Sequence, residues 1–210
     1  MKTITKEIQS AMTPAMALET LKEGNKRFVN NLKINRNLLQ QANETSDGQH
    51  PFAVILSCID SRTSVELIFD QGLGDVFSVR IAGNIINEDI LGSMEFGCKV
   101  AGAKIIVVLG HTKCSAVKSA CDHLEMGNLT ALLSKIQPAV YDEKITLENR
   151  NSDNDEFVEN VTAINIKRTV HAIMERSTIL KEMIEMGEIG IVSGNHNITT
   201  GEVIFYDDTF

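Results

Sequence analysis

Two short stretches, Cys58-Ile-Asp60-Ser-Arg62 and His111-Thr-Lys-Cys114, carry the side chains of this chain with the strongest chemical implications. Two thiols and an imidazole are ligands of the kind that hold zinc. A structural zinc takes four protein ligands, whereas a catalytic one takes three and keeps a position open. Cys58, His111 and Cys114 at one ion would leave that position open. His111 and Cys114 are three residues apart, so one turn can present both to the same ion. Cys114 also lies near the N-terminus of a predicted helix, whose dipole favours the thiolate. Asp60 and Arg62 flank the first ligand. Asp60 is placed to accept a hydrogen bond from solvent in the open position, and a guanidinium two residues on would keep it ionised. Two thiolates nearly cancel the metal's charge, so bound water feels less pull than at a three-histidine site, and that site's pKa of about 7 does not transfer.

Both stretches begin where an aliphatic run ends. Phe52–Ser57 and Lys104–Leu109 read as buried strands, with further strands at Val76–Ile81 and Ile189–Ser193 and an edge strand at Glu202–Tyr206. Helical patterns occupy Val65–Phe69, Asp89–Ala101, Cys114–Glu125, Leu129–Val140, Glu156–Arg176 and Thr178–Met186. Thr13-Pro14 signals a helix start, followed by an apolar stripe of Leu18, Leu21, Phe28 and Leu32. The polar stretch 35–50 reads as a linker and 141–155 as a solvated connection. Aliphatic strands alternating with helices predict an α/β fold, with a mainly parallel sheet of four strands plus an edge strand. Helices flank this sheet, and an N-terminal helical arm spans about residues 1–35 of a single domain over 1–210. Ligands of such sheets bind outside the carboxyl ends of the strands, where Cys58 and His111 both fall.

Composition narrows the rest. The 210 residues are 43% hydrophobic and 23% charged, which fits a globular chain and excludes disordered and collagen-like classes. A net charge of −8 argues against nucleic acid or an anionic membrane as partner. Residues 1–20 carry Lys2, Lys6 and Glu7 with no signal-peptide core, and the longest aliphatic run is far too short to span a bilayer. The expectation is a soluble cytoplasmic protein. Cys98 and Cys121 lie in apolar helical patterns and read as core residues. His50 and His123 are candidate proton carriers; His171 and His196 have no constellation around them.

The pattern C-x-D-x-R, followed some fifty residues later by H-x-x-C, resembles the β-class carbonic anhydrases. The likeness runs from about Gln49 to Cys121. The resemblance implies reversible hydration of CO2 to bicarbonate and a proton by zinc-bound hydroxide. It implies Cys58, His111 and Cys114 as Zn2+ ligands and Asp60 with Arg62 as the catalytic pair. Gln49 matches a family glutamine that helps to bind substrate or product, and Phe77 an aromatic lining the CO2 pocket. Family members build the site at a dimer interface, so a homodimer or homotetramer is expected. Three positions depart from the family. Ser115 replaces the usual glycine after the second cysteine, which keeps a backbone N–H for substrate but forbids a glycine-only conformation. Phe96 replaces a tyrosine of plant-type members. Ile55 stands where bicarbonate-regulated members carry tryptophan, which implies the ungated type. The alternatives are a CS2 or COS hydrolase of the same family, a zinc-stabilised non-catalytic binding protein, and a cysteine-nucleophile hydrolase using Cys58 or Cys114 with His111.

Overall fold

The computed structural model describes residues 3–206. Lys2 and the chain ends of the expected 1–210 domain lie outside them. A five-stranded sheet runs in the order β2-β1-β3-β4-β5, with β1 at Ala53–Ser57, β2 at Val76–Arg80, β3 at Ile105–His111, β4 at Gly190–His196 and β5 at Val203–Phe205. The first four are mutually parallel, as the aliphatic runs predict, and β5 is an edge strand antiparallel to β4. β2 and β3 lie on opposite sides of β1, so the strand order reverses between β1 and β3. That reversal opens a crevice at the carboxyl ends of those two strands.

Alternation along the strands divides the core. Val54, Leu56, Ile106, Val108 and Ile191 pack on one face against Leu91 and Met94 of α5 (Glu88–Glu95), Ile166, Val170 and Ile173 of α9 (Asp155–Arg176) and Leu180 of α10 (Thr178–Glu185). Ile55, Ile105, Val107 and Leu109 meet Ala17 and Leu21 of α2 (Pro14–Val29) and Val65 and Ile68 of α4 (Val65–Ile68) on the other. Thr13 caps α2, its hydroxyl accepting from Met16 N at 3.2 Å. At Gly24 an added Cβ would lie 1.8 Å from the Phe69 carbonyl oxygen, so only glycine lets α2 sit this close to α4. Leu32, expected on the buried stripe, lies beyond the end of α2 and is 68% exposed.

Several boundaries differ from expectation. The supposed linker 35–50 contains α3 (Leu38–Glu44), and α1 (Lys6–Ala11) precedes the expected helix start. Both are short and polar, and single glutamines anchor them. Gln9 donates to the Pro51 and Ala101 carbonyls at 2.7 and 2.8 Å, and Gln41 accepts from Leu73 N at 3.3 Å. The pattern over 129–140 divides into α7 (Gly127–Leu133) and α8 (Gln137–Asp142). The connection after it is not wholly solvated: Glu143 is buried and binds Arg150 and the Thr146 backbone. α5 runs on directly into a π-turn, Phe96–Val100. β3 and β4 each run farther than their aliphatic segments because they keep pairing as far as His111↔His196. Among the described residues no helix is long and apolar enough to cross a membrane.

Candidate metal centre

Cys58 follows the last residue of β1, His111 ends β3, and Cys114 immediately precedes α6 (Ser115–Cys121). β1 and β3 are hydrogen-bonded neighbours, with Ser57 opposite Leu109. Their ends therefore bring together residues more than fifty positions apart. One donor atom from each of the three lies within 4.8 Å of the others, and all three residues are buried. The two sulfurs are 3.9 Å apart. Around them pack Ile85, Val117, Ile136, Phe157 and Val161, a dry wall that strengthens local electrostatics. Cys121 belongs to this wall and Cys98 to the core beside α5, both as expected; burial pushes their thiols up to about 11 and 12.

Each of the three side chains is oriented by its neighbours. His111 Nδ1 lies 2.9 Å from the Thr112 carbonyl oxygen. A carbonyl can only accept, so Nδ1 carries the proton and Nε2 offers a lone pair to the site. That Nε2 is buried and has no hydrogen-bond partner. Gly83 N donates to Cys58 Sγ at 3.4 Å from a left-handed backbone (φ +68°), a conformation natural to glycine. Asn165 of α9 pins that turn by donating to the Gly83 carbonyl at 2.9 Å. The hydrogen bond with Cys114 lowers the Cys58 thiol pKa, while the same contact and burial raise that of Cys114. Cys58 is thus the more readily ionised of the two.

Arg62 grips Asp60 at both oxygens, Nε to Oδ1 at 2.9 Å and Nη2 to Oδ2 at 2.7 Å, and the Arg62 N–H also donates to Oδ1. The guanidinium and this N–H hold the Asp60 carboxyl well below the usual range, against the opposing effect of burial. Oδ2 stands 4.0 Å from His111 Nε2, which places the carboxylate at the rim of the cluster.

Two residues the resemblance assigns to the pocket lie elsewhere in this chain. Gln49 is exposed and precedes β1, whose five residues, roughly 17 Å at about 3.3 Å per residue, run between it and Cys58. Phe77 is in register with Val54, roughly 13 Å short of Cys58 by the same rise. Its ring sits edge-on to Phe96 at 6.3 Å, in a groove shared with Val79 and Ile90. Ser115 opens α6 and is absent from the residues with positive φ, so its geometry does not demand glycine. His50 is half-buried, whereas His123 is exposed and its ring lies tilted to that of Tyr141, with centroids 6.2 Å apart.

Sequence reasoning missed four supports. Arg80, at the end of β2, donates to the Cys58 and Asp60 carbonyls at 3.1 and 2.6 Å. Thr63 donates to the Asp60 carbonyl at 2.9 Å. Glu159 of α9 accepts from Lys113 N at 2.9 Å. His196, set aside in the sequence, is the register partner of His111; it is buried, neither ring nitrogen has a partner, and burial lowers it to about 4. Only Arg80 left a signal: a cation closing a strand beside β1.

Comparison with known proteins decides the family. A carbonic anhydrase family model matches residues 53–203. The chain belongs to the β-carbonic anhydrases. Carbonic anhydrase 2 of Mycobacterium tuberculosis is 35% identical over 92% of this chain and 93% of its own length. The carbonic anhydrase of Mycolicibacterium smegmatis is 33% identical over 90% and 92%. The structure of the β-carbonic anhydrase CcaA superposes with a TM-score of 0.71 at 26% identity, covering 90% of this chain and 95% of that one. Tetrameric β-carbonic anhydrases of Sordaria macrospora share the fold, with a TM-score of 0.72 at 20% identity over 93% and 96%.

Proposed function

We propose that this carbonic anhydrase is a zinc enzyme that hydrates CO2 reversibly to bicarbonate and a proton. Cys58, His111 and Cys114 hold the metal, and Asp60 with Arg62 serve the reaction. The unpartnered, buried Nε2 of His111 beside two thiols carries the reading. Two thiolates at tetrahedral corners about 2.3 Å from zinc stand about 3.8 Å apart, close to the sulfur separation of 3.9 Å. Family membership supports the same assignment, and a set of three leaves room for solvent. When bound, zinc would supply a Lewis acid that lowers the pKa of a coordinated water and so provides a nucleophile near neutral pH.

The remaining work falls to the chain. Ionised Asp60 can only accept hydrogen bonds, so an O–H that donates to it must turn its lone pair away from the carboxylate and toward substrate. The two-pronged grip of Arg62 fixes the carboxylate plane and keeps the proton off it. Ser115 offers a backbone N–H at the start of α6 as a donor for a substrate oxygen. The apolar wall suits CO2, an uncharged molecule with little claim on a wet site.

Gln49 and Phe77 reach the pocket from a second copy, in a homodimer or homotetramer. β2 ends the sheet, and Phe96 and Val100 beside its groove are 54% and 72% exposed. A partner seated there would cover this apolar surface. Stopped-flow CO2 hydration with parallel metal analysis tests the assignment. Hydration that disappears with a chelator and returns with zinc is expected. Turnover that survives complete metal removal would instead favour the thiol-hydrolase alternative.

A further inference from the structure

The peptide unit joining Thr112 to Lys113 lies between two of the ligands, and both of its polar groups are engaged. Its carbonyl accepts from His111 Nδ1 at 2.9 Å, and its N–H donates to Glu159 Oε1 at 2.9 Å. A continuous path therefore runs from carboxylate through peptide to imidazole, ending at Nε2. We propose that Glu159 is a positioning residue for the metal site, acting on His111 through this peptide. The inference rests on the zinc reading above and extends it to a residue of another element.

Two further observations support it. Lys113 has φ +55°, the left-handed region that a lysine enters at a cost. It is the only left-handed residue between the two ligands. Something must hold the strained peptide plane, and a charged acceptor from α9 does so. The other side of the same loop is fixed independently: Thr112 N donates to the His196 carbonyl at 3.0 Å, and Ile198 N donates to Thr112 Oγ1 at 3.1 Å. With Thr112 tied to β4 and Lys113 tied to α9, the peptide cannot rotate, so its carbonyl keeps the imidazole plane aimed at the thiols. A ligand histidine usually donates its second N–H to a carboxylate or a carbonyl, and losing such a partner costs about 10–100-fold in metal affinity or activity. Here the carbonyl is the direct acceptor and the carboxylate polarises it from behind, because hydrogen bonds in series strengthen one another.

The test compares zinc-loaded wild type, Glu159→Ala and Glu159→Gln in the full chain. Glu159→Ala should release zinc to a chromogenic chelator about 10-fold faster or more, and its cobalt-substituted form should show altered visible d–d bands. Glu159→Gln keeps an oxygen acceptor without the charge and should recover most of the difference. A purely structural role would lower the melting temperature and leave the cobalt spectrum unchanged. Wild-type zinc release and an unchanged spectrum in Glu159→Ala would overturn the inference while leaving the zinc assignment standing. A wild type that takes up no zinc would remove the assignment itself.

Discussion

Two aspartates ten residues apart each meet arginine, and the two pairs do different work. Asp60 lies at the rim of the Cys58–His111–Cys114 cluster; its side chain is 12% exposed and that of its partner Arg62 is 53% exposed. Asp70 is 3% exposed and is held by Arg27 at 2.6 Å, by Arg36 at 2.5 Å and by the Ile34 N–H at 3.3 Å. All its partners lie between residues 27 and 36. Asp70 therefore fastens α2 and the chain after it to the α4 end, with its acceptor capacity spent on structure. Asp60 is gripped by one neighbour in sequence and still faces His111 at 4.0 Å. The pairing alone does not mark function; what the second carboxylate oxygen faces does.

This contrast can be broken deliberately. The largest effect is expected at Asp70→Ala, which leaves two guanidiniums without their shared anion. Removing one partner of a buried pair costs about 3–5 kcal/mol. Urea unfolding should show a loss of that order, with kcat of the remaining folded enzyme near the wild-type value. Asp60→Asn should do the opposite. Stopped-flow hydration is expected to fall about 100-fold or more, with zinc content and the urea midpoint unchanged, because acid–base groups contribute about 10²–10⁴-fold. Unimpaired turnover in Asp60→Asn would remove Asp60 from the mechanism. Arg62→Lys comes next, at about tenfold, since a point charge cannot reproduce a planar two-pronged grip. Arg36→Lys should leave turnover alone and cost stability only.

The smallest expected effect is in acid. Burial raises the Asp70 carboxyl, yet Arg27, Arg36 and the Ile34 N–H together bring it below its ordinary value. A carboxyl depressed in the folded state adds stability above its unfolded pKa of about 4 and loses it as pH falls through the folded value. Wild type should therefore lose stability below about pH 4, and Asp70→Asn should follow a flatter acid limb in unfolding titrations. An equally steep limb in the variant would assign the acid sensitivity to another group.

The strands were legible because parallel strands buried on both faces read as aliphatic runs, as in Ile105–Leu109. Their ends were not: β3 reaches His111 only by pairing with β4, a long-range contact that propensity does not encode. The grouping of Cys58, His111 and Cys114 was readable from residue type and spacing. Its supports were not, because Arg80, Glu159 and His196 act from other elements, and only folding sets them against Cys58, Lys113 and His111. The short helices α1 and α3 escaped because buried glutamines, not an apolar stripe, hold them down. Gln49 and Phe77 show the opposite limit. Their residue types match the resemblance, while their places, before β1 and on β2, separate them from the cluster within one chain.

X-ray absorption at the zinc edge on the purified enzyme tests the central claim most directly. Two sulfur ligands near about 2.3 Å, one imidazole nitrogen near about 2.0 Å and one further light atom from solvent are the predicted shell. Absence of zinc, or a shell of four protein donors that leaves solvent no place, would contradict it.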